Sequence, residues 1–259
     1  MGGFLAALLE ALLERLRSEG TLVGSARLSL DPQRAHRFGA VPDARFYPLW
    51  FAASATRAGA RTLELVRTPD ECLLRHDGEG GAEELAVAVE WARLLRPAAV
   101  EQKGSTLCVR GLPWSSPGEA GLLYRRARHG PFRLVLNGTS LPLPGERPAL
   151  ARRLLAPLPE TLSLGPAAFT ESRASPGKYG ALLELGFGTD WILVDRGIAF
   201  PLGQGPVGAV IYLQSSRGAP WPDRLVLTPE LQDGLREVHA HAAELRREVS
   251  ARLARCLFR

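Results

Sequence analysis

Residues 46–80, FYPLWFAASATRAGARTLELVRTPDECLLRHDGEG, decide how the chain is read. Leu49-Trp50-Phe51-Ala52-Ala53 is an apolar run on a helix candidate that Pro42-Asp43 opens and Ala58-Gly59 closes. Glycine suits the left-handed position that ends a helix. Stretches 62–66 and 72–75 then predict two strands, with Thr68-Pro69-Asp70 as the turn between them. The segment delivers His76-Asp77-Gly78-Glu79-Gly80 to the end of a strand, where a loop can meet a ligand.

A chain of 259 residues suffices for one large domain or two modest ones, and 46% apolar with 23% charged residues is a globular composition. The net charge of +5 comes almost wholly from arginine, since Lys103 and Lys178 are the only lysines. The positive charge is dispersed. Its densest runs are Arg125-Arg126-Ala127-Arg128 and Arg246-Arg247, which is a poor footprint for nucleic acid. Cys72, Cys108 and Cys256 show no paired spacing, and Cys72 and Cys108 read as small hydrophobes in strands, so a reducing cytoplasm is expected. The first 20 residues place Leu5, Leu8, Leu9, Leu12, Leu13 and Leu16 on one helical face, with Glu10 and Glu14 interrupting the run. That is an amphipathic helix and neither a secretory signal nor a membrane span. Stretch 25–30 predicts a strand, and Asp31-Pro32 starts a short helix.

The central stretch resembles the GHKL ATPase superfamily of gyrase, the ninety-kilodalton heat-shock chaperone, histidine kinases and mismatch-repair ATPases. There a helix reading Glu-Asn-x-x-Asp-Ala-Gly-Ala precedes a strand pair ending in Asp-x-Gly-x-Gly. Arg57-Ala58-Gly59-Ala60 stands where Asp-Ala-Gly-Ala would, and Arg75-His76-Asp77-Gly78-Glu79-Gly80 where the glycine motif would. The water-activating Glu of the family falls on Ala53, the magnesium-holding Asn on Ser54, and the adenine-reading Asp on His76 or, shifted by one, Asp77. Residues 81–105 leave no room for a lid of ordinary length, because 82–95 is itself a strong helix candidate that stops before Pro97.

Beyond it, 105–110 is strand-like, 118–128 predicts a helix, and Asn137-Gly138 predicts a tight hairpin. A boundary is expected near 130–165. Strands are expected at 179–185, 191–195 and 207–213, the first two joined by the turn Gly186-Phe187-Gly188-Thr189. A long amphipathic helix follows, capped by Thr228-Pro229-Glu230. The fold class is therefore α+β. The resemblance implies an ATPase-like α/β sandwich over residues 21–145 behind the amphipathic helix 1–20, then a smaller βα domain of ribosomal-protein type over 146–259.

The nucleotide-contact candidates are Ser54, His76, Asp77, Gly78 and Gly80, with Lys178 reaching from the second domain as related two-domain ATPases do. Hydrolysis requires a positioned water and a magnesium ion, and Ala53 and Ser54 supply neither a proton acceptor nor an amide oxygen. The expected catalytic set is thus empty, as is the metal set. Gly203-Gln204-Gly205-Pro206-Val207-Gly208 matches a dinucleotide fingerprint only formally, because it precedes a strand and Pro206 lacks an amide hydrogen. Glu237, His239, His241 and Glu244 share the last helix as surface pairs. The expectation is a non-catalytic scaffold or regulatory protein acting on a protein partner or on a second copy, without cofactor. The alternative is an atypical ATP-binding protein or weak ATPase using ATP and magnesium.

Overall fold

A computed structural model describes residues 43–112, 118–175, 177, 179–186, 188–213 and 228–257. The amphipathic helix expected at residues 1–20, the strand at 25–30 and the Asp31-Pro32 helix all lie outside the described residues, as does Lys178.

Asp43 starts the first helix by accepting the Arg45 amide at 3.0 Å, and a 3-10 turn, Ala44–Phe46, leads into α1 (Tyr47–Arg57). Every residue of α1 from Tyr47 to Ala55 is buried, which explains an apolar run with no polar face. Gly59, at φ +62°, ends it. The Ala60 amide reaches Ala55 O and the Gly59 amide reaches Thr56 O, the paired bonds of a Schellman cap.

Strands β1 (Thr62–Arg67) and β2 (Glu71–His76) form the expected hairpin. Then come α2 (Ala82–Leu94), β3 (Ala99–Lys103), β4 (Thr106–Arg110), α3 (Gly118–Arg126), β5 (Arg133–Leu136) and β6 (Thr139–Ser140). The first sheet runs β3-β4-β2-β1-β5-β6, antiparallel except for the parallel β1–β5 pair. The period-two alternation of strands puts Leu63, Leu65, Cys72, Leu74, Leu107, Val109 and Leu134 on one buried face. Helix α1 packs on that sheet and on α2 and α3, with Trp50 and Trp91 rings 6.2 Å apart.

The second sheet is built from β7 (Ala149–Ala156), β8 (Ala167–Ala174), β9 (Tyr179–Leu185), β10 (Asp190–Asp195), β11 (Ile198–Gln204) and β12 (Gly208–Leu213). Its order is β11-β10-β12-β9-β7-β8, with parallel pairs β7–β8 and β10–β12. Residues 186–189 join β9 to β10 in the chain, but the two strands are not paired with each other: β12 lies between them, antiparallel to β9 and parallel to β10. Helix α4 (Pro229–Leu257) packs on β7 and β9 through Val238, Ala242, Leu245 and Val249, and the Thr228 hydroxyl caps it by accepting the Leu231 amide.

Strand β11 joins the two layers. Gly197, at φ +77°, turns the chain so closely onto α1 that a Cβ would stand 2.2 Å from Thr56 Oγ1. Arg126 of α3 donates to Ala199 O at 2.9 Å and lies 4.8 Å from the Phe200 ring. No helix among the described residues is long and apolar enough to cross a membrane.

Candidate functional site

Two places combine glycines with charged or polar side chains. The first is the loop leaving β2. Asp77 turns its carboxylate back on the chain, and Oδ1 accepts the Arg61 amide at 2.8 Å and the Thr62 amide at 2.9 Å. It thereby satisfies the backbone where the chain leaves the α1 cap and enters β1. Gly78 sits against the end of α1, where a Cβ would be 2.6 Å from Ala58 O. Gly81, at φ +69°, begins α2, and a Cβ there would be 2.4 Å from Ser54 O. Ser54 is fully buried and donates its hydroxyl to Gly81 O at 2.8 Å. Its oxygen lies 3.5 Å from His76 Nε2, and the His76 ring packs 5.3 Å from Phe51. Burial lowers the His76 pKa, keeping the imidazole neutral.

Of the expected contact residues, Ser54, His76, Asp77, Gly78 and Gly80 are thus brought together at one end of α1. Ser54 meets His76 and Gly81 O, Gly78 meets the end of α1, and Asp77 meets the two amides that lead into β1. Gly80, at φ +119°, is packed more loosely: a Cβ there would meet Ala58 Cα at 3.9 Å. Ala53 is buried in α1 with a methyl group only. The interval 81–105 is taken up mainly by α2 and β3.

The second place is a cleft of about 380 Å³ between the end of α3, the 141–149 connection and the β9, β10 and β12 strands. Leu141, Pro142, Ile192 and Val210 give it apolar walls, and Gly186, Gly188 and Gly208 also line it. Arg128, His129 and Arg147 stand at it. Arg128 Nε donates to His129 Nε2 at 2.9 Å, and its guanidinium lies 5.3 Å from the Tyr124 ring. Burial first, then the charges of Arg128 and Arg147, push the His129 pKa down to about 4, against a smaller opposing pull from Asp190.

The wall of this cleft is held from beneath by a buried arginine. Arg152 donates to Gly165 O at 2.7 Å, Gly145 O at 2.8 Å and Arg147 O at 3.0 Å, while its Nε reaches Glu184 at 2.8 Å. Glu146 pairs with Arg133 and accepts the Leu143 amide at 2.9 Å. The next residue, Arg153, points to the opposite face. There it ties Glu171 of β8 to Glu244 and Glu248 of α4 at 2.7–2.9 Å.

Sequence reasoning singled out none of Arg147, Arg152, Arg153 or His129, and took Arg128 only as part of a basic run. No local pattern marks them, because each acts through partners far away in the chain. Gly203 and Gly208 lie at the end of β11 and the start of β12, and the Gly205 amide reaches Thr189 O, so this stretch connects two strands. On α4, Glu237 accepts from the Tyr179 hydroxyl, the His239 ring lies 5.6 Å from Trp191, and His241 lies 3.7 Å from Glu244. Among the described residues no group of three or more His, Cys, Asp or Glu side chains is placed to hold a metal ion. Cys72 and Cys108 are free and buried, and burial pushes the Cys72 thiol up to about 12, far from a reactive thiolate.

No protein-family model matches the sequence, and no curated protein matches it.

Proposed function

We propose that this protein is a non-catalytic scaffold or regulatory protein on a degenerate GHKL-like frame, working by contact with another protein or a second copy. One observation supports this above the others. The Asp77–Gly81 loop lies directly on α1, with Gly78 and Gly81 in contact with its backbone and Asp77 serving the start of β1. In a nucleotide-binding member of that superfamily, these same groups face the ligand. Ala53 and Ser54 offer no base and no magnesium ligand, so the frame lacks the chemistry of γ-phosphate attack.

A contact face is available on α4. Leu253 continues the stripe of Val238, Ala242, Leu245 and Val249 beyond the sheet, and it is 45% exposed. The alternative, an atypical ATP-binding protein, is favoured only by the exposure of Asp77 and Glu79 on the loop. A phosphate-release assay with ATP and magnesium, run beside sedimentation of the full chain, tests the proposal. The expected result is no release above the protein-free control and a self-associated species that Leu253→Glu weakens. Turnover that tracks the protein through purification would overturn it.

A further inference from the structure

The two pairs of basic side chains at and beside the second sheet have different surroundings. Arg152 and Arg153 are enclosed and each meets carboxylates and carbonyls. Arg128 and Arg147 are exposed and, among the described residues, neither lies against a carboxylate. Both stand at the cleft, and both act on the same histidine. The acidic groups at the cleft are Glu184, which Arg152 neutralises at 2.8 Å, and Asp190 near His129.

We propose that this cleft binds a small organic anion, its charged head between Arg128 and Arg147 and its apolar body against Leu141, Pro142, Ile192 and Val210. The volume of about 380 Å³ falls in the range of small-molecule sites and is too small for a folded partner. The site is preformed. Arg152 fixes three carbonyls of the loops behind the wall, and Arg133 fixes Glu146. Arg128 is stacked on Tyr124 and hydrogen-bonded to His129, so little side-chain freedom is left to lose when it meets a ligand. Gly188, which lines the cleft with nothing within 4 Å of where a Cβ would stand, lets a ligand approach the backbone there.

His129 reports on occupancy. Its Nε2 accepts from Arg128, so the neutral ring carries its proton on Nδ1. An anion between the two guanidinium groups cancels the field that, after burial, keeps the ring neutral. The protonated ring becomes easier to form, and by linkage the anion binds more tightly as the pH falls. Arg128, Arg147, Asp190 and Glu184 are the charged groups that face this histidine and its cleft.

The probe is 1-naphthalenesulfonate, which stays ionised throughout, compared with the neutral 1-naphthalenemethanol on the full chain, with binding followed by fluorescence. The sulfonate is expected to saturate at or below about 1 mM and the alcohol to bind about tenfold more weakly or less. Arg128→Ala and Arg147→Ala should each weaken the sulfonate by about tenfold, whereas Arg236→Ala on α4 leaves it unchanged. In the wild type, the imidazole resonances of His129 should show its proton affinity raised about tenfold by the sulfonate. Equal binding of sulfonate and alcohol, an absence of saturation at millimolar sulfonate, or indifference of His129 to the sulfonate would each overturn the proposal. A nucleotide is itself an organic anion. Bound here, it is lost in Arg128→Ala and kept in Asp77→Asn, which separates this site from nucleotide on the glycine loop.

Discussion

The loop after β2 and the cleft beside the second sheet both combine glycines with polar side chains, yet they are used in opposite ways. In the loop, the Asp77 carboxylate, the Ser54 hydroxyl and the glycine backbone all face protein. In the cleft, Gly188 has open space around it, and Arg128 and Arg147 meet no carboxylate among the described residues. A glycine motif marks close approach of something to the backbone. Whether that something is a phosphate or the protein's own helix is decided by what surrounds it.

A methyl group added at each place should have the most unequal consequences. Gly81→Ala puts a Cβ 2.4 Å from Ser54 O at a φ of +69°, and should cost about 3 kcal/mol or more in urea unfolding. Gly188→Ala at the cleft meets nothing within 4 Å and should stay within about 0.5 kcal/mol of wild type. Equal costs would mean that the loop is not packed as described. Arg152→Met strands Glu184 and the carbonyls of Gly145, Arg147 and Gly165. It should cost about 3 kcal/mol and speed amide exchange in the 141–149 connection while leaving the α1 cap protected.

A smaller effect is expected from pH. His129 has a folded pKa of about 4, below its ordinary value of 6.5, so the fold favours the neutral ring. The unfolded chain binds more protons between those values. Stability is therefore complete above pH 6.5 and is lost as the pH falls towards 4, by on the order of 2 kcal/mol. His76, whose pKa burial also lowers, adds to the same slope. Thermal melts from pH 7 to 4 should show it, and His129→Asn should flatten it; a slope unchanged in that variant would remove His129 from the account. The smallest effect should come from Arg147→Ala, an exposed site, with stability within about 0.5 kcal/mol of wild type in the same urea titration.

Much of the first sheet was legible because its signals are local. The Ala58-Gly59 stop, the Thr68-Pro69-Asp70 turn and Asn137-Gly138 each follow from one backbone requirement, and Asn137 and Gly138 have φ of +49° and +79°. Strand β7 was not legible. Its sequence, ALARRLLA, is made of good helix formers and puts two arginines in the interior. It is a strand because Glu171, Glu184, Glu244 and Glu248 neutralise those arginines from elements up to 95 residues away. The cleft is hidden for the same reason. Arg128 and Arg147 lie on different elements, and only the fold brings both to His129. At the glycine loop the sequence identified residues that do converge, but not that their partners are the end of α1 and the amides that lead into β1.

The measurement that tests the central claim most directly is calorimetric titration of the full chain with ATP and magnesium, repeated on Asp77→Asn and Arg128→Ala. If the glycine loop is closed on α1, the Asp77 variant should give the same trace as the wild type, whether that trace is flat or reports a weak anion in the cleft. Saturable ATP binding that Asp77→Asn removes and Arg128→Ala leaves intact would contradict it.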